Sequence, residues 1–91
     1  MAHFHHVVLF QLKDDADVEA ALGVLRRAEP TAGLVSWRVE RSVDERKGTV
    51  LAELAVFESA DAFHAWRDSD LHQAAAAHLR DVSDWLVADW E

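Results

Sequence analysis

Apolar and polar positions along this chain change their period several times, and each change marks a new element. Residues 3–13 are dominated by β-branched and aromatic side chains and stop at Lys13-Asp14-Asp15, which predicts a strand. A two-residue period puts His6, Val8, Phe10 and Leu12 on one face and His5, Val7, Leu9 and Gln11 on the other. Both faces are largely apolar, so both need a cover. Over 16–28 the period becomes helical: Val18, Ala21, Leu22 and Leu25 make one stripe, with Asp14 or Asp15 as the N-cap. Arg26 and Arg27 suit the last turn, and Pro30 and Gly33 end the element.

A second strand is predicted over 34–43, with Val35, Trp37 and Val39 facing opposite to Leu34, Ser36, Arg38 and Glu40. The charged turn Asp44–Gly48 leads into a third strand over 49–57, so 34–57 reads as an antiparallel hairpin. Ser59 caps a helix over Ala60–Arg67 that buries Ala62, Phe63 and Trp66, and Ser69 or Asp68 restarts a second helix through Leu71–Leu79. The tail 82–90 sets Val82, Leu86, Ala88 and Trp90 against Trp85 and Val87 as a fourth strand. The order βαββαβ, with the last helix broken in two, is the α+β ferredoxin-like pattern: an antiparallel sheet with helices on one side. One sheet face, carrying His5, Val7 and Leu9, is then left bare in the protomer. Face-to-face packing of two sheets in a homodimer would cover it.

Composition narrows this picture. The 91 residues fit one domain, 1–91, and a chain so short buries only about 60–65% of its unfolded surface, so a partner subunit would help it. A formal net charge of −8 argues against nucleic acid and against an anionic membrane surface as partners. With no cysteine there is no disulfide, no thiolate-held zinc and no thiol catalysis. No stretch approaches the roughly 20 apolar residues of a membrane span, and Val7–Phe10 is too short for a signal-peptide core, so a cytoplasmic location is expected.

Three segments carry a resemblance. "HVVLFQLKDD" (His6–Asp15), "FESADAFHAWRDSDLHQ" (Phe57–Gln73) and the closing "VADWE" resemble the stress-responsive dimeric α/β-barrel family, over nearly the whole chain. The sharpest points are a His opening the Val-Val-Leu-Phe strand and a His-Gln pair just after the helix break. The resemblance implies a protomer whose sheet closes with a second copy into a barrel. It also implies varied functions, among them small polyketide cyclases that perform an aldol-type ring closure. In those relatives the positions matching His6 and His72 are active-site residues. Their aromatic hydroxyl in the helix before the break falls at Trp66 here, a third-strand His falls at Leu51, and the proline of the break falls at Asp70.

His6 and His72 are therefore the candidate catalytic pair. His6 shares a strand face with Phe10, and His72 follows the helix break on a face with Ala75, Ala76 and Leu79. Two imidazoles across an apolar pocket can serve as base and acid near neutrality, since their reference pKa is about 6.5. Trp66, Phe63 and Phe10 are the expected substrate walls for a small hydrophobic or polyketide-like ligand. No cofactor and no metal is expected; His3 and His5 share a strand face but two ligands do not make a site. His78 is expected at the core margin and His64 in solvent. Arg38, Glu40 and Glu53 are read as cross-strand charge pairs at an edge or interface. Trp37, Trp85 and Trp90 are assigned to core or dimer interface.

Three readings stay open: a cofactor-free acid–base enzyme of cyclase or lyase type, a non-catalytic stress-response or ligand-binding barrel, and, lowest, a haem or metal oxygenase with a His ligand. A cavity of roughly 300 Å³ or more facing both histidines favours the first, and collapsed packing there favours the second.

Overall fold

In a computed structural model describing residues 2–91, the elements are β1 (Phe4–Leu12), α1 (Val18–Arg27), β2 (Leu34–Arg41), β3 (Val50–Phe57), α2 (Ala60–Arg67), α3 (Asp70–Val82) and β4 (Ser83–Trp90). The strands form one antiparallel sheet in the order β2-β3-β1-β4. The connection between β1 and β3 passes through α1 and β2, and that between β3 and β4 through α2 and α3, which is the ferredoxin-like βαββαβ topology. Two-residue alternation does what the pattern of β1 predicts. Val8, Phe10 and Leu12 are buried against Ala21, Leu22 and Leu25 of α1 and Leu79 of α3, while Leu9 on the opposite face is exposed.

Helix starts follow from short polar side chains. Asp17, not Asp14 or Asp15, caps α1 by accepting from the Ala20 N–H at 3.0 Å. The earlier acids lie in a turn closed by the Ala16 N–H on the Lys13 carbonyl, which must first carry the chain off the sheet. Ser59 caps α2 through the Ala62 N–H at 3.1 Å. Ser69 caps α3 through the His72 N–H at 3.3 Å. Gly33 allows the α1–β2 loop to pass close under α2: its φ is +72°, and a Cβ there would stand 2.6 Å from that of Ala62.

Two sequence expectations need correction. Val35 does not share a face with Trp37 and Val39, because a β-bulge between Leu34 and Ser36 inserts one residue against β3. Leu34, Trp37 and Val39 pack on the core and Val35 is exposed. Val82 ends α3 rather than beginning β4, and the strand starts with no intervening loop at Ser83, whose Oγ–H donates to the Leu79 carbonyl at 2.7 Å.

The uncovered sheet face carries Leu9, Leu54, Leu86 and Trp90, all exposed, with the His5 ring stacked parallel to Trp90 at 5.1 Å. Among the described residues no helix is long and apolar enough to cross a membrane.

Candidate functional site

Strand register brings three ionisable side chains together on the covered face. Asp89 on β4 is the direct cross-strand partner of His6, while on β3 the partner of His6 is Ala55 and that of Val8 is Glu53. Glu53 is thus diagonal to His6, within reach of a long side chain. The His6 Nδ1–H donates to Asp89 Oδ1 at 2.5 Å, and Nε2 lies 3.2 Å from Glu53 Oε2. Both ring nitrogens face carboxylate oxygens, which the imidazolium satisfies and the neutral ring cannot. His6 and Glu53 are buried, whereas the Asp89 side chain keeps 32% of its exposure. Burial on its own would lower the pKa of His6, but the hydrogen bonds and charges of Glu53 and Asp89 outweigh it and raise the pKa above the usual 6.5.

His72 comes from the helix side. Ser69 binds α2 to α3 at the break, donating its Oγ–H to the Trp66 carbonyl at 2.6 Å while accepting from the His72 N–H. The His72 ring meets Trp66 edge-on, with centroids 4.5 Å apart. Its Nδ1 is buried without a hydrogen-bond partner among the described residues. Burial is the main influence here and lowers the pKa below 6.5; the attraction of Glu53 only partly opposes it, and the nearby His6 adds to the lowering. The two imidazoles are therefore pushed in opposite directions.

A cavity of about 220 Å³ lies between sheet and helices, lined by His6, Glu53, Phe63, Trp66, His72 and Asp89, among others. Phe10 also lines it, as do Ala75, Ala76 and Leu79 of α3 and Trp85 and Val87 of β4. All five residues singled out from the sequence, His6, His72, Trp66, Phe63 and Phe10, thus border one space. The walls are aromatic: the His6 ring lies 4.7 Å from Phe63 and 5.9 Å from Trp66. The Trp66 N–H is not offered to this space, because it donates to the Ala28 carbonyl at the end of α1, at 2.9 Å. Arg67 stands at the rim with its guanidinium 5.6 Å from the Phe63 centroid and half of its side chain exposed.

Sequence reasoning missed Glu53 and Asp89. Glu53 is not an edge or interface charge; it is buried on the inner strand β3 beside His6. Its parity with Leu51, Ala55 and Phe57 was the available signal, since a carboxylate in phase with a core stripe must be paired. Asp89 shares the parity of Trp85 and Val87 in the same way. His78 is exposed rather than at the core margin, because on α3 the buried positions are Ala75 and Leu79 and the ring falls outside that stripe; His64 is exposed. Trp37 packs on the core, whereas Trp85 is partly exposed and lines the cavity. Among the described residues no cluster of three or more His, Cys, Asp or Glu side chains could hold a metal, and His3 and His5 gain no third donor.

Sheet order and helix placement define a ferredoxin-like α+β protomer. The chain belongs to the stress responsive A/B barrel domain family, whose model matches residues 4–91. Solved structures agree on the fold. A dimeric ferredoxin-like protein of unknown function from Thermobifida fusca is 22% identical with a TM-score of 0.83, covering 97% of this chain and 89% of that one. A dimeric ferredoxin-like protein of unknown function from Bacteroides fragilis is 21% identical with a TM-score of 0.75, covering 98% and 95%. SnoaB, a cofactor-independent oxygenase from Streptomyces nogalater, is 18% identical with a TM-score of 0.82, covering 100% and 93%. A comparison with curated proteins gives no match.

Proposed function

We propose that this chain is a small-molecule-binding homodimer in which His72 acts as a general base toward a ligand held in the cavity between sheet and helices. The observation that carries the reading is geometric: His6 and His72 border one cavity, His6 held between two carboxylates and His72 with Nδ1 unpartnered among the described residues. These surroundings push the two imidazole pKa values in opposite directions. Titratable groups whose environments drive their pKa values apart mark a division of acid–base labour. A lowered His72 is neutral at physiological pH and has a lone pair to offer. Nδ1, buried without a hydrogen-bond partner among the described residues, is the nitrogen left to accept a ligand proton.

His6 takes a different part. Both its N–H groups are engaged by carboxylates, so it acts as a fixed charge that holds Glu53 and Asp89 in place and becomes an acid only when one of them lets go. Trp66, Phe63 and Phe10 would shape the apolar walls around the ligand. Two structural neighbours are dimeric, and here the dimer would form through the bare sheet face, where Leu9, Leu54, Leu86 and Trp90 are exposed.

The alternative, a barrel that binds a ligand without turning it over, is favoured by one feature. The cavity, at about 220 Å³, is smaller than the roughly 300 Å³ at the lower end of ligand pockets. His72→Ala separates the readings in a paired measurement with wild type. If His72 is the base, melting temperature and dimer are nearly unchanged while turnover is lost, or ligand affinity falls about tenfold, equal to about 1.4 kcal/mol. Lost stability with an unchanged ligand response would make His72 a structural residue.

A further inference from the structure

Glu53 and Asp89 set a requirement on what the cavity can accept. Glu53 is buried, acceptor-only when ionised, and has one short-range partner, His6. Asp89 likewise accepts from His6, and both His6 N–H groups are consumed by these two contacts. The Trp66 N–H is committed to Ala28. Among the described residues, the lining donors other than the single N–H of His72 that lack such commitments, the Arg67 guanidinium and the Trp85 indole, belong to half- or partly exposed side chains at the rim. The polar floor thus holds two carboxylates against one imidazolium, a net charge of one negative unit in a space walled by aromatic rings. A ligand group that meets this floor must give hydrogen bonds. A ligand carboxylate or phosphate placed there would face like charge at low dielectric.

Volume sets a second bound. A cavity on the order of 150 Å³ accommodates benzene, so about 220 Å³ holds one substituted ring and not an extended polycycle. We infer that the cavity binds a small, uncharged, single-ring aromatic bearing at least two hydroxyl or amino donors, one toward His72 and one toward the Glu53–Asp89 floor. This rests on the reading of the cavity as a ligand site and adds the ligand's class, which the resemblance to polyketide cyclases does not provide. The hydroxyl facing His72 is the proton that the base would take: its O–H bond breaks, an N–H bond forms on the imidazole, and the ligand is left as the oxyanion.

Three probes of similar size test it on the wild-type protein, read by NMR shifts of the His72 ring and the Trp85 indole. They are 4-hydroxybenzyl alcohol with two neutral donors, its dimethylated ether with none, and 4-methylbenzoate with an anionic group. The alcohol is expected to bind at least about tenfold more tightly than the ether, about 1.4 kcal/mol, and the benzoate not to shift either resonance. Ala76→Leu, which fills the cavity from α3, is expected to abolish the alcohol's effect. If the ether or the benzoate binds as tightly as the alcohol, the donor requirement is wrong while the cavity remains a ligand site. If Ala76→Leu leaves the alcohol's binding unchanged, or no probe moves either resonance, the inference and the ligand-site reading both fall.

Discussion

On one face of the sheet two charged groups, Glu53 and His6, are 4% and 6% exposed; on the other face two leucines, Leu9 and Leu86, are 45% and 72% exposed. At these four positions the ordinary partition between protein interior and water is reversed. Each face therefore requires its own cause. Buried charge persists where partners compensate for lost hydration, and here each His6 nitrogen has a carboxylate. Exposed leucines in a contiguous strip, joined by Leu54 and Trp90, persist where another surface covers them. The first face carries the proposed site and the second the proposed dimer interface. They share the backbone of β1, so Leu9 and His6 lie three residues apart on opposite sides.

The largest effect is expected from breaking the charged face. Glu53→Ala leaves a buried imidazolium with a single carboxylate, and removing one partner of a buried pair costs about 3 kcal/mol. Denaturant unfolding at about pH 6, where His6 is charged, measures it. A loss no larger than that of a surface substitution, about 0.5 kcal/mol, would mean that Glu53 does not hold His6. Leu9→Asp attacks the other face and should cost about 2 kcal/mol of dimer stability through lost apolar burial and an unpaired charge. Sedimentation at micromolar concentration should show monomer. A variant that stays dimeric with an unchanged melting temperature would place the interface elsewhere. Ser69→Ala is the mildest of the three: it removes the α3 cap at a cost of about 1 kcal/mol. It also frees the Trp66 carbonyl and loosens His72, so ligand affinity should fall along with stability. Equal affinity in the variant would show that the cap does not position the ring.

Half of the covered face is legible in the amino-acid sequence. Alternation in β1 names His6, Val8, Phe10 and Leu12 as one stripe because period two is a local property of the chain. Helical spacing after the break puts His72 with Ala75, Ala76 and Leu79 for the same reason, and all four line the cavity. Glu53 and Asp89 escape because their meeting with His6 depends on register between strands 47 and 83 residues distant. Nothing in the local sequence sets which β3 residue falls opposite Val8. The bulge at Val35 escapes for a related reason: one inserted residue reverses the facing of what precedes it, yet Val suits either face. The α1 cap moves to Asp17 because three acids within four residues are equivalent caps until the turn after β1 selects one.

Proton linkage ties the two histidines to stability with opposite signs. His6 has a raised folded pKa, so its contribution is fully present below the unfolded value of 6.5 and is lost as pH rises through the folded value. His72 has a lowered folded pKa, so its contribution is present above 6.5 and is lost as pH falls through the folded value. The most direct measurement is an NMR titration of the six histidine rings, assigned by His6→Gln and His72→Gln. The account predicts that His6 remains doubly protonated above pH 6.5 while His72 is already neutral below it, and that Glu53→Gln lowers the His6 midpoint. Both rings titrating together at the ordinary value, or His72 holding its proton longer than His6, would contradict it.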